Sequence, residues 1–151
     1  MADSDPLGQQ RLPGFEQAEG GGNEDCILTK LYKSGLMDKC LEAIQEKSGE
    51  GADGCVTTSF AHTGGGYSQI RFQKVKYGVH RVAAMKKMGR PPKKGEEASH
   101  LCHNRHCCNP EHLFFEDGEV NKSRLCCKLY GTMDGFKCPH LPVCFGCSSL
   151  H

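Results

Sequence analysis

The stretch SHLCHNRHCCNPEHLFFEDGEVN, residues 99–121, decides how this chain is read. It carries Cys102, Cys107 and His112 in a Cys-x4-Cys-x4-His pattern, which is metal-ligand spacing. A further histidine, His100, stands two residues before the first of them. The apolar run Leu113, Phe114, Phe115 reads as a strand, and Asp117 as the cap of a short helix that carries Asn121. An ion that pins the loop would draw His100 and Asn121 together. A closed structural zinc site takes four ligands, so a fourth must come from elsewhere. Cys55 is the expected one, because it would staple an upstream hairpin to the loop.

The rest of the composition points the same way. The chain has 151 residues, enough for one domain with a tail, and 19 of them are glycine. Apolar content is low, so a conventional core would be thin. Eleven cysteines and eight histidines offer another means of holding the fold. An odd cysteine count, with histidines interleaved at ligand spacing, favours metal sites over a disulfide framework. The first residues have neither a basic start nor an apolar run, so no secretory leader is expected, and the predicted location is intracellular, in the nucleus. No apolar stretch approaches the roughly 20 residues that span a membrane.

The net charge of +1 hides an uneven distribution. Residues 1–25 hold six acids and one base, whereas residues 69–95 hold nine bases and no acid. A basic middle of this kind suits a phosphate-binding face. Residues 1–23 are acidic and Gly-rich and are expected to be disordered. Residues 24–48 form a helical segment by the spacing of Ile27, Leu28, Leu31, Leu36, Cys40, Leu41 and Ile44, broken at Gly35. Residues 48–54 read as loop. Residues 55–61 and 67–73 read as a hairpin across Gly64, Gly65 and Gly66, with Gln69 and Arg71 on one face and Ile70 and Phe72 on the other. Long polar side chains on such a ribbon can reach base edges in a major groove. Residues 74–88 read as a helix stopped by Gly89, and Arg90 with its flanking prolines and lysines has the look of a minor-groove hook.

A second ligand cluster follows. Cys138, His140 and Cys144 fit one tetrahedral site, with Cys126 or Cys127 as the fourth ligand and Cys147 as a further candidate. Two structural zinc ions would supply the stability that the thin core lacks.

These residues carry a resemblance. Ser99 through Asn104, Cys107, Asn109 through Leu113, Asn121, Lys122 and Arg124 resemble the His-Cys box of homing endonucleases, a branch of the ββα-metal (His-Me finger) nucleases. The later cluster is similar to that family's second zinc site. The resemblance implies an α+β fold over residues 50–151: a small zinc-stapled nuclease domain with an antiparallel β-ribbon and helices. It implies His100 as the general base and Asn121 as the protein ligand of one catalytic Mg²⁺. It implies Cys55, Cys102, Cys107 and His112 at the first zinc, and Cys127, Cys138, His140 and Cys144 at the second. Arg71 would take the place of the family's arginine beside the scissile phosphate, with Arg81 as the fallback. DNA is the implied partner. A homodimer is a further expectation, set against the end of this chain at His151, where dimerising members run on into a tail that crosses to the partner.

The chemistry of the residues agrees. An imidazole, with a pKa near 6.5, can take a proton from an attacking water at neutral pH, and a cation on a carboxamide oxygen can neutralise charge growing on a phosphate. The function expected is Mg²⁺-dependent DNA hydrolysis. The alternatives are a non-catalytic zinc module that binds DNA and, more remotely, a protein-interaction domain of the ubiquitin-ligase type, which would need neither His100 nor the basic stretch.

Overall fold

The computed structural model describes residues 20–149, so the polar tail expected over residues 1–23 lies outside the described residues as far as residue 19. Two helices open it: α1, Gly20–Ser34, and α2, Met37–Glu46. They part at Gly35, whose φ of 80° is one that side chains rarely adopt. Their apolar stripes deliver Leu28, Leu31, Cys40 and Ile44 to the core.

Three antiparallel ribbons follow. The first pairs β1, Ser48–Glu50, with β2, Val56–Thr58, around a single 3₁₀ turn. The second pairs β3, Gln69–Phe72, with β4, Val75–Gly78. The third pairs β5, Glu96–His100, with β6, Leu113–Asp117, and its register sets His100 opposite Leu113 and Ser99 opposite Phe114. Helix α3, Val79–Met88, packs across β5 and β6 and contributes Val79, Val82, Ala83 and Met85 to the core. It stops where Gly89 turns left-handed at φ 69°. After β6 come the short helices α4, Gly118–Ser123, and α5, Leu125–Tyr130, then a small parallel pair of β7, Lys137–Cys138, and β8, Ser148–Ser149. This is a small α+β fold. No helix among the described residues is long and apolar enough to cross a membrane.

The expected hairpin between residues 55–61 and 67–73 is met only at its tip, and its strands pair elsewhere. β2 turns back to β1, and β3 turns forward to β4. The Gly-rich loop does turn the chain back, but only its ends pair: His62 bridges Ser68, the Thr63 amide donates to the Tyr67 carbonyl at 2.8 Å, and the Gln69 amide donates to the Ala61 carbonyl at 2.9 Å. The true two-residue turn is Gln73-Lys74, with φ of 50° and 68° at the two positions, the signature of a type I′ hairpin made without glycine. Residues 75–78 are therefore strand, and the helix expected from residue 74 starts at Val79. Residues 48–50, expected in a loop, are strand. Arg90 is no free hook either. Its Nη1 and Nη2 donate to the two Glu96 oxygens at 2.7 and 3.1 Å, and its guanidinium lies 5.6 Å from the centre of the Phe115 ring.

Leu113 is fully buried where β6 meets α3. Leu113→Ala should cost about 2–5 kcal/mol, measured by urea denaturation with zinc held constant.

Candidate active site and metal centres

Four side chains from three segments converge at the first metal centre. Cys55 follows the 3₁₀ turn, Cys102 and Cys107 lie in the loop after β5, and His112 ends a second 3₁₀ turn, Pro110–His112. Their ligand atoms all lie within 4.8 Å of one another. His112 Nδ1 is 3.7 Å from Cys55 Sγ and 3.5 Å from Cys107 Sγ. A tetrahedral zinc with Zn–S near 2.3 Å needs ligand separations of about 3.5–3.8 Å, so the set fits. Asn109 builds the second turn: its side-chain oxygen accepts from the Glu111 amide at 3.0 Å, and its Nδ2 donates to the Gly54 carbonyl at 2.8 Å. One side chain thus ties the loop to the turn that presents Cys55. A hydrogen bond from Cys102, against the opposing effect of burial, brings the Cys107 thiol down to about 4, toward the thiolate that a metal requires.

The second centre gathers Cys127 from α5, Cys138 from β7, and His140 and Cys144 from the loop after it, all buried. His140 Nδ1 is 3.3 Å from both Cys127 Sγ and Cys138 Sγ and 3.9 Å from Cys144 Sγ. Cys126, the competing neighbour, is exposed. Burial opposes ionisation of Cys138, but the Cys144 amide and His140 outweigh it and lower the thiol to about 6. The donor sets, three thiols and an imidazole in each, suit zinc. Every cysteine whose side chain is described is a free thiol, as the metal reading expects.

Both centres have outer partners. The remaining ring nitrogen of His140, Nε2, meets Ser123 Oγ at 2.8 Å. Arg124 donates from Nη1 to Cys144 Sγ at 3.1 Å and to the Pro142 carbonyl at 2.8 Å, and from Nε and Nη2 to the Glu116 carboxylate. Burial alone would lower the pKa of this guanidinium, but Glu116 and Cys144 outweigh it and hold the charge. Contacts of this kind orient metal ligands and fix their tautomers.

A cleft of about 300 Å³ opens beside the two centres, lined in part by Tyr67, His100, Arg105, Asn121, Lys122 and Lys128. His100 and Asn121, twenty-one positions apart, therefore face one space. His100 Nε2 lies 2.9 Å from the Cys107 carbonyl oxygen. A carbonyl only accepts, so Nε2 carries the proton and Nδ1 is left as the basic nitrogen. Burial lowers the His100 pKa, with the Cys107 carbonyl opposing it in part, so the neutral ring is favoured at pH 7. The ring is held in a stack: Tyr67 lies 4.8 Å from His80, and His80 lies 5.1 Å from His100, between ring centres. Arg105 closes the assembly by donating to the Gly65 carbonyl at 3.0 Å with its guanidinium 5.7 Å from the centre of the Tyr67 ring.

Asn121 sits on α4, whose first turn is capped by Asp117 accepting from the Glu119 amide at 2.8 Å. Its Oδ1 accepts from Ser99 Oγ at 2.7 Å, and its Nδ2 donates to Glu97 Oε1 at 2.9 Å. A second cleft of about 230 Å³ adjoins it, bordered by Gln69, Arg81 and Glu97. Arg71 is exposed on β3 and borders neither cleft. It shares the Gln69 face but stands two residues further on, about 7 Å along the strand and past the opening. Arg81 is the arginine beside Asn121. Sequence reasoning gave no role to Tyr67, His80, Glu97 or Arg105, and quoted Ser99 only as part of the resemblance. Only the two-residue period of β5, which puts Glu97 and Ser99 on one face, could have signalled any of them.

Two Cys₃His centres that staple ribbons and short helices around a histidine-asparagine cleft define a zinc-stapled His-Me nuclease domain. The family model for the zinc-binding loop region of homing endonuclease matches residues 39–149, and the chain belongs to that family. No curated protein matches the chain. The match suggests a nuclease or DNA-binding role.

The protein should bind two zinc ions, and Cys55→Ser and Cys138→Ser should each retain one, by elemental analysis of the purified chains. Loss of a centre removes on the order of 10 kcal/mol of apparent metal-binding free energy, so both variants should also melt at markedly lower temperature.

Proposed function

We propose that this protein is a Mg²⁺-dependent DNA endonuclease that hydrolyses phosphodiester bonds at the cleft between β5 and α4. The observation that carries the reading is the His100 ring itself. It is locked by the carbonyl of Cys107, with Nδ1 left basic, and it borders the same cleft as the carboxamide of Asn121.

In this reading the DNA backbone lies along a wall made basic by Arg105, Lys122 and Lys128. His100 Nδ1 takes a proton from the water that attacks phosphorus, and the stack with His80 and Tyr67 keeps the ring plane fixed during the transfer. Asn121 Oδ1 would hold the divalent ion, which would supply Lewis-acid stabilisation of charge growing on the phosphate and the leaving group. Arg81, rather than Arg71, is placed to meet charge growing on the phosphate. The zinc ions stay outside the chemistry, since their four positions are filled by protein. Basic residues at the cleft would equally serve a DNA-binding module without catalysis, but such a module has no need of an imidazole held in one tautomer.

Nicking of supercoiled plasmid should require Mg²⁺ and stop in EDTA used briefly enough to spare the zinc. His100→Ala should lower the rate by about 10²–10⁴-fold while keeping two zinc ions and wild-type DNA affinity. Asn121→Ala should lose metal-dependent cleavage in the same way. Plasmid binding without nicking by the wild type would leave the DNA-binding module as the function.

A further inference from the structure

A carboxamide has two ends alike in shape and opposite in polarity, and only the oxygen end can bind a cation. Something must therefore decide which way Asn121 faces. Ser99 cannot decide it, because a hydroxyl can donate to Oδ1 or accept from Nδ2 with equal ease. Glu97 can, because an ionised carboxylate only accepts. Its Oε1 holds Asn121 Nδ2 at 2.9 Å, which leaves Oδ1 toward Ser99 with a second lone pair to give.

We propose that Glu97 is the positioning residue of the catalytic cation site: it fixes the face of the Asn121 carboxamide and adds negative charge beside a ligand that has none. The proposal rests on the reading of Asn121 as the metal ligand.

Two independent features support it. The first is the space made for the carboxylate. A Cβ on Gly118 would stand 3.0 Å from Glu97 Oε2 and 3.2 Å from its Cδ, so any larger first residue of α4 would push the carboxylate off its position by a few tenths of an ångström. The second is the charge arrangement. Glu116 stands opposite Glu97 in the β5–β6 register, and both of its oxygens are taken by Arg124. Arg124 is thus engaged on the other carboxylate. Glu97 borders the cleft together with Asn121. A single neutral oxygen is a weak seat for a cation that keeps most of its water, and a carboxylate next to it can accept from those waters.

The test uses the full zinc-loaded chain. Mn²⁺ binding is followed by electron paramagnetic resonance of the free ion, and nicking is followed against Mg²⁺ concentration. Glu97→Gln keeps the shape but loses both the charge and the fixed polarity, and it should weaken Mn²⁺ binding about 10–100-fold. The Mg²⁺ concentration for half-maximal nicking should rise in parallel, with the rate at saturating Mg²⁺ much less affected. Gly118→Ala should shift both readouts the same way, and zinc content should stay at two ions in each variant. Should Glu97→Ala lose zinc through misfolding, the isosteric Gln variant carries the result. Mn²⁺ binding that is lost in Asn121→Ala but unchanged in Glu97→Gln would overturn the role of Glu97 and leave the active-site reading standing. A wild type that binds no Mn²⁺ would remove both.

Discussion

Arg124 joins two parts of the molecule that otherwise have separate interiors. One apolar cluster is formed by α1 to α3 with the β-ribbons, and the other is little more than Cys127, Cys138 and Cys144 with a few half-buried neighbours. The guanidinium is 3% exposed, so its charge has to be answered by protein rather than water. Glu116 answers it from β6, in the larger part, and Cys144 and the Pro142 carbonyl answer it from the smaller. Removing any one partner would leave a buried charge short of compensation, which is far more costly than losing a surface pair. A thiol of the second metal centre and a carboxylate of the β5–β6 ribbon are thereby bound to a common residue, and that residue directly follows the helix bearing Asn121.

The two metal centres then have different tasks. In the proposed mechanism the first holds the imidazole that would act as base. Cys107 is a ligand, and its own carbonyl fixes the proton of His100 on Nε2. The second sets the helix. His140 is a ligand, and its outer nitrogen meets Ser123, two residues beyond Asn121. A chain with so little apolar surface holds two polar side chains in a fixed relation poorly by packing alone, and tetrahedral ions with short bonds in the two Cys₃His clusters would do so. The active site is therefore stiff where the fold is thin.

Much of this could be read from residue types because metal geometry is local. Cys102, Cys107 and His112 reveal themselves by spacing, as do Cys138, His140 and Cys144. The choice between Cys126 and Cys127 was open, since adjacent helical residues point about 100° apart and only packing tells which faces inward. Strand partners were harder. Gly64, Gly65 and Gly66 turn the chain back over a short tip, but β3 pairs through a second turn made by Gln73 and Lys74, residues that rarely accept left-handed backbone. Arg71, taken from the resemblance, lies outside both clefts, and Arg81, at the start of α3, borders the second. Arg90 looked free because nothing in its neighbourhood announces that Glu96 will fold back to meet it.

Glu97, Ser99 and Asn121 show why the finer parts of a site escape a motif. None is unusual alone, and their relation exists only once β5 lies beside α4. The strand supplies two side chains at a spacing of two, and the helix supplies one amide above them. A hydroxyl and a carboxylate then hold opposite ends of that amide. The arrangement is polar and largely sheltered, and both ends of the amide are held, so reversing it would set two oxygens, on Asn121 and Glu97, against each other. The same contact that keeps the amide from turning over in the resting protein also presents its oxygen. If Asn121 seats a cation as proposed, the order of the amide and the affinity for the ion would both depend on a single carboxylate, and neither could be weakened there without the other.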